Sequence, residues 1–287
     1  MTINSICICG AGTMGRGIAL ASARAGFFTL LFDLDSSALD RADEAIKEQL
    51  QQSVSRNKLT AEEEFRILEH IHYTSDLQTC LADLFIEAIV EKTEAKISLF
   101  NQLAELNHSE CIFATNTSSL SVTGIARGIK NPERVIGLHF FNPADRMKLV
   151  EVVVTPMTNS LTVESTTRLA EELGKTPVIC KDAPGFIVNR VARPYYIEAL
   201  RLAEKGVPVE QVDRVMEASG FRMGPFRLMD LIGHDVNYAV SVSVYEQLDR
   251  PERLRPSVLQ QEKVQHNELG RKSGKGFYDY NDSPEKP

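Results

Sequence analysis

The first stretch able to do chemistry is Gly10-Ala11-Gly12-Thr13-Met14-Gly15. It follows the apolar run Ile6-Cys7-Ile8-Cys9 and opens the helical stretch Ile18–Ala25. Glycines at this spacing permit a tight turn, let backbone approach a pyrophosphate, and allow a helix to pack closely on a strand. The start of the helix adds free N–H groups and the positive end of its dipole. A second apolar run ends at Asp33, whose carboxylate could accept from both hydroxyls of an adenine ribose. Leu34-Asp35-Ser36-Ser37 then offers no Arg or Lys for a 2′-phosphate, so the pattern favours NAD over NADP. The competing reading is a structural glycine turn with a solvated Asp, and it leaves the coincidence of all these parts unexplained.

Three later segments place polar residues where apolar strands end or run. They are Thr115-Asn116-Thr117-Ser118-Ser119, His139-Phe140-Phe141-Asn142-Pro143, and Glu151 inside the apolar Leu149–Val154. Ligands of open α/β sheets gather outside the carboxyl ends of the strands. Oxidising an alcohol removes a proton from oxygen while hydride leaves carbon, so a proton acceptor that titrates near neutrality is wanted. His139 has that chemistry, and a carboxylate such as Glu151 could fix its tautomer and stabilise the imidazolium. Residue types alone leave two blander readings open: a satisfied core histidine, and an edge-strand carboxylate facing water.

The elements that must position these groups alternate. Strands are expected at Ile6–Cys9, Thr29–Phe32, Leu84–Ile89, Cys111–Ala114, Val135–Leu138, Val150–Val154 and Pro177–Cys180. Helices are expected at Met14–Ala25, Ala38–Gln52, Glu94–Leu106, Val122–Ala126 and Leu161–Leu173. The alternation reads as βαβ units around a mostly parallel sheet, an α/β class. Beyond Lys181-Asp182-Ala183-Pro184-Gly185 no convincing strand remains. Phe186–Glu204, Val209–Ala218 and Leu228–Tyr245 read as helical, with Gly206, Gly220 and Gly233 as breaks, and the tail from Asn281 is expected to fray. Two domains are therefore expected, 1–183 and an all-α 184–287.

Composition narrows the classes. The 287 residues are 43% hydrophobic and 25% charged, with a net charge of −7. Such an acidic surface argues against nucleic acid or an anionic membrane as the main partner. Neither a leader nor a membrane-spanning run is visible. Cys7, Cys9, Cys80, Cys111 and Cys180 are scattered without a CxxC, which suits reduced thiols and a cytoplasmic setting. His70 and His72 could meet a metal from one strand, but with six histidines and no second ligand pair nearby no metal is expected. Ser118-Ser119 lacks the GxSxG context of a hydrolase nucleophile.

Taken together, the motifs closely resemble the 3-hydroxyacyl-CoA dehydrogenase family, including its 3-hydroxybutyryl-CoA members. The matching segments are GAGTMGRGIA at 10–19, EAIVE at 87–91, NTSSL at 116–120, HFFNP at 139–143, MKLVEVV at 147–153, KDAPGFIVNR at 181–190, MGPF at 223–226 and KSGKGFYDY at 272–280. The resemblance implies a Rossmann-like NAD domain, then a helical domain through which two copies dimerise. It implies reversible oxidation of (S)-3-hydroxyacyl-CoA to 3-ketoacyl-CoA in fatty-acid or related lipid metabolism. It also implies that His139 and Glu151 form the catalytic pair, that Ser118 and Asn189 meet the substrate near its 3-oxygen, and that Ser118 and Asn142 lie beside the nicotinamide. Glu91, Lys96 and Lys272 match positions that touch NAD. Lys58 resembles the family's basic residue near CoA, its plainer reading being a solvated lysine at a helix end.

Two departures stand out: Arg16 where the family often has a small residue, and Arg227 where an acidic one is common. Two rivals share the scaffold: a dehydrogenase of a free hydroxy or sugar acid, and a non-enzymatic, crystallin-like relative. The joint presence of His139, Glu151, Ser118 and Asn189 weighs against the second. The length is expected to leave no room for an appended hydratase domain.

Overall fold

The computed structural model describes residues 2–281, so the tail expected to fray beyond Asn281 lies outside the described residues. The chain divides after Ala183 into two compact units.

The first unit alternates strands and helices. Its elements are β1 (Ser5–Cys9), α1 (Thr13–Arg24), β2 (Phe28–Phe32), α2 (Ser36–Ser55), α3 (Ala61–Glu69), β3 (Ile71–Thr74), β4 (Leu84–Glu87) and α4 (Thr93–Leu106). Then come β5 (Ile112–Thr115), α5 (Val122–Arg127), β6 (Val135–Phe140), β7 (Leu149–Val154), α6 (Ser160–Glu172) and β8 (Thr176–Lys181). The strands form one eight-stranded sheet in the order β3-β2-β1-β4-β5-β6-β7-β8, a mostly parallel, Rossmann-like arrangement. Neighbouring strands are parallel except β6 and β7, whose antiparallel pairing sets His139 directly opposite Glu151. The order reverses between β1 and β4, and such a reversal opens a crevice beyond the strand ends. The central strands are apolar along both faces because helices cover both, as parallel sheets require. Ile6, Ile8, Leu31, Ile86, Ala114, Ile136 and Leu138 form one buried cluster with Ile18 and Ala19 of α1.

Two elements of this unit were not expected from the sequence. α3 begins with a capping box in which Thr60 and Glu63 exchange side-chain and backbone hydrogen bonds. β3 is a four-residue edge strand, too short and too mixed to show a period. His70, which caps α3, donates from Nδ1 to the Arg66 carbonyl at 2.8 Å, and His72 of β3 stacks on Phe28 at 4.5 Å.

The second unit is helical: α7 (Val188–Glu204), α8 (Val209–Ala218), α9 (Pro225–Ile232), α10 (His234–Gln247) and α11 (Val258–Gln265). The break expected at Gly233 is where α9 gives way to α10, with Gly233 at φ +100°. α11 was not expected. Tyr196, Leu200, Val212, Phe226 and Met229 make the main core. Two fully buried carboxylates organise the rest. Asp213 accepts from the N–H groups of Phe226 and Arg227 and from the Tyr278 hydroxyl. Asp230 accepts from the N–H groups of Phe277 and Tyr278, from the Tyr280 hydroxyl and from His234 Nε2. The KSGKGFYDY segment is thus a strap tied to α8 and α9. Arg227 pairs with Glu217 and lies over the Tyr278 ring, so its departure from the family pattern is accommodated locally.

Candidate active site

The glycine turn after β1 shows why each glycine is there. Gly10 has φ +108°, and a Cβ on it would lie 2.6 Å from the Ala88 carbonyl oxygen. A Cβ on Gly15 would lie 1.7 Å from the Gly10 carbonyl oxygen, so α1 could not start so close to the strand. A Cβ on Gly12, by contrast, would meet no atom of the rest of the chain within 4 Å. Gly12 is also the N-cap of α1, and no side chain caps that end. The open space and the uncapped N–H groups coincide, which suits a phosphate. Ala11, Thr13 and Met14 complete the turn. Asp33 directly follows the neighbouring strand β2, accepting from Ala11 N at 2.7 Å and Asp35 N at 3.0 Å. Its carboxylate therefore braces the turn. The next cation along the chain, Arg41, is engaged by Asp35 and Ser37.

Beside this turn, across the reversal, β4 ends in Glu87, fully buried. Its Oε1 accepts from Lys96 Nζ at 2.6 Å and Ile89 N at 2.8 Å, and its Oε2 from the Thr115 hydroxyl at 2.7 Å. Lys96 is also buried and reaches Glu91 at 2.9 Å. Glu91 accepts from the Thr117 hydroxyl and from Ser118 N at 3.1 Å. Burial pushes the Glu91 carboxyl up, but Lys96 and these donors outweigh it and hold the group below its usual range. Glu91, Lys96 and Ser118 are thus brought together. Glu87, Thr115 and Thr117, which join them, lie in segments the sequence marked out but were given no role of their own there. The signal for Glu87 was there, a charge at the end of an apolar strand.

His139 and Glu151 meet across β6 and β7, with Nδ1 to Oε2 at 2.6 Å. Both are buried, at 6% and 0% exposure. A carboxylate only accepts, so Nδ1 carries the hydrogen and Nε2 is the basic nitrogen of the neutral ring. The Phe141 ring leans on the imidazole at 4.6 Å. Asn116 joins the two halves of the site, its Oδ1 accepting from Phe140 N at 2.8 Å. On the far side of Glu151, burial, then Glu151 and Asp182, push the Cys180 thiol up to about 12. It stays a thiol near neutrality.

The loop after β6 is held from below by Lys175, which donates to the carbonyls of Ala144 at 2.6 Å and Met147 at 3.1 Å. Asn142 sits exposed at the start of this loop. Lys58 is exposed on the turn between α2 and α3, where Asn57 adopts φ 53°. In the second unit Asn189 is the second residue of α7, its carbonyl accepting from Arg193 Nε. Lys272 donates to both oxygens of Asp235 at 2.6 Å.

A nucleotide-shaped turn at a sheet reversal and a His–carboxylate pair on the same sheet define a dinucleotide-dependent oxidoreductase. Residues 5–183 match the family described as 3-hydroxyacyl-CoA dehydrogenase, NAD binding domain, and residues 185–280 match its C-terminal domain. The chain belongs to the 3-hydroxyacyl-CoA dehydrogenase family. It is 48% identical to the 3-hydroxyadipyl-CoA dehydrogenase of Escherichia coli over 98% of its length, and spans 60% of that relative. It is 40% identical to the mitochondrial hydroxyacyl-coenzyme A dehydrogenase of Sus scrofa, covering 97% of this chain and 91% of that one. The solved (S)-3-hydroxybutyryl-CoA dehydrogenase of Ralstonia eutropha superposes with a TM-score of 0.92 at 34% identity, over 98% of this chain and all of the other.

Proposed function

We propose that the protein oxidises the 3-hydroxyl of (S)-3-hydroxyacyl-CoA thioesters to the 3-ketone with NAD, and catalyses the reverse reduction. The observation that carries this reading is the buried 2.6 Å contact between His139 Nδ1 and Glu151. It orients Nε2 as general base for oxidation and, protonated, as general acid for reduction. The developing imidazolium has its counter-charge already in place, so little reorganisation accompanies proton transfer. Ser118 and Asn189 hold the 3-oxygen, and Asn142 and Ser118 orient the nicotinamide end. Bound at the glycine turn, NAD supplies the hydride acceptor. Gly10, Ala11, Gly12, Thr13, Met14 and Gly15 receive its phosphates, Asp33 its adenine ribose, and Glu91, Lys96 and Lys272 the rest.

The domain roles follow the same reading: 1–183 binds NAD, while 184–287 supplies Asn189 and the dimer contact. Val191, Val215, Phe221, Leu231 and Val236 of the second unit are exposed apolar residues, and they support pairing of two copies. Lys58 is assigned to the CoA moiety. Five free cysteines, four of them buried, support a cytoplasmic setting, and no described helix is long and apolar enough to cross a membrane.

The test is the rate of NADH loss with acetoacetyl-CoA, with longer 3-ketoacyl-CoA thioesters, and with free keto acids. Turnover of the thioesters but not the free acids is expected. The opposite preference would favour the free-acid rival, and NAD binding without turnover of either would favour a crystallin-like role.

A further inference from the structure

Glu87 is fully buried at the reversal of strand order, yet it takes no part in the proton transfer assigned to His139. It belongs to a closed circuit of side chains. Lys96 links Glu87 to Glu91, at 2.6 and 2.9 Å. Glu91 takes the Thr117 hydroxyl, the Thr117 N–H reaches the Thr115 hydroxyl at 3.3 Å, and that hydroxyl donates back to Glu87 at 2.7 Å. Ser118 N hangs on the same Glu91 oxygen as Thr117.

We infer that Glu87 is a positioning residue for the cofactor: through Lys96 and Thr115 it fixes where Glu91 and Ser118 stand. The physical reason is the buried ammonium. Lys96 is 1% exposed, and a charge so far from water must be matched by carboxylates. With Glu87 present, Lys96 is compensated from the interior and needs only the near edge of Glu91. The Glu91 side chain can then remain 38% exposed, with its other oxygen on the Ser118 loop. Without the Glu87 charge, Glu91 is the remaining carboxylate on Lys96 and is drawn inward, away from Thr117 and Ser118. The effect falls on the groups assigned to NAD, so the inference rests on the functional reading above.

The experiment uses the full chain and measures NAD dissociation constants by calorimetry, with urea unfolding alongside. Glu87→Gln keeps the size and removes the charge, and should weaken NAD about tenfold, the scale of one charged hydrogen bond. Glu87→Asp keeps the charge but is one methylene too short, so it should recover little. Thr115→Val removes only the hydroxyl and should weaken NAD by a few-fold. Glu87→Gln combined with Lys96→Met should bind at most a few-fold worse than Lys96→Met alone, the share of the Thr115 arm, because Glu87 otherwise acts through Lys96. Wild-type NAD affinity in Glu87→Gln, with only a lower urea midpoint, would overturn the inference and leave Glu87 a stabilising residue. Full multiplication of the two single effects would also overturn it. Should Glu87→Gln fail to fold, Thr115→Val decides, wild-type affinity again counting against. A wild-type protein that binds no NAD would overturn the functional reading itself.

Discussion

His139 and Glu151 are direct cross-strand partners on the one antiparallel ladder of an otherwise parallel sheet. Two rigid strands hold the imidazole and carboxylate at 2.6 Å, so their distance does not depend on a loop. His139→Gln should lower kcat by about 10²–10⁴, the usual contribution of a positioned general base. Glu151→Gln keeps the shape and removes the counter-charge, so kcat should fall severely there as well. The losses should not multiply in the double variant, because the two residues act as a unit. Calorimetry should show NAD binding intact in both variants. A double variant that loses the full product of the single effects would show independent action and end the pairing argument.

Asp33 has two tasks, bracing Ala11 and Asp35 and presenting a carboxylate at the end of β2. Asp33→Ala should weaken NAD by about 1.5–3 kcal/mol, the range of a charged hydrogen bond. The wild type should prefer NADH to NADPH by a wide margin, because the carboxylate repels a 2′-phosphate. Equal rates with the two cofactors would remove the specificity role and leave only the brace.

Glu91 predicts a pH effect on stability. Its folded value lies below the unfolded one, so its stabilisation is present above about pH 4.3, the unfolded value. It is lost as pH falls through the folded value. The urea midpoint of Glu91→Gln should therefore trail the wild type at pH 7, begin to close below the unfolded value, and draw level only once pH is below the folded value. Solvent screening at a 38% exposed side chain keeps the difference near 1 kcal/mol or less. A gap that is equal at both pH values would mean the charge of Glu91 does not contribute.

What the sequence made legible was local. The glycine turn and Asp33 declare themselves because their spacing is set by one strand, one turn and one helix. Glu151 stood out as a charge in an apolar run, and Glu87 obeys the same rule. Its role, however, needs Thr115, which reaches it only by β4 pairing with β5. The antiparallel β7 is invisible in composition, since apolar strands of either direction read alike when both faces are buried. Most hidden were Asp213 and Asp230. Their donors come partly from residues 277–280, far along the chain, so nothing local marks these aspartates as buried.

Lys58 carries the substrate-anchoring prediction. It lies exposed on a turn, so its loss should leave folding untouched. If the ammonium meets the CoA portion, Lys58→Ala should raise KM for the thioester while kcat stays near wild type, the signature of lost uniform binding. The effect should shrink as salt rises, because exposed charges are screened. A KM that does not change at low or high salt would return Lys58 to the solvated surface.

The strap of the second unit offers the sharpest test of packing. A Cβ on Gly276 would fall 2.1 Å from Asp230 Oδ1 and 2.7 Å from Gly270 Cα, so neither side can yield without breaking something. Moving the carboxylate would disturb its bonds to Phe277 N, Tyr278 N and Tyr280, and with them the buried contact to His234. Gly276 itself has no positive φ, so the objection to a side chain there is space and not backbone conformation. Gly276→Ala should therefore cost about 1–3 kcal/mol, the overpacking range, and more if Asp230 loses a donor outright. Gly220→Ala is the contrasting case: φ is +101° and nothing lies within 4 Å, so its cost should come from the backbone alone. Urea unfolding of the two variants separates the causes, because Gly220→Asn should recover part of the loss at 220 while no small side chain should recover it at 276. An unchanged midpoint in Gly276→Ala would show that the strap is not clamped on Asp230 as the structure has it.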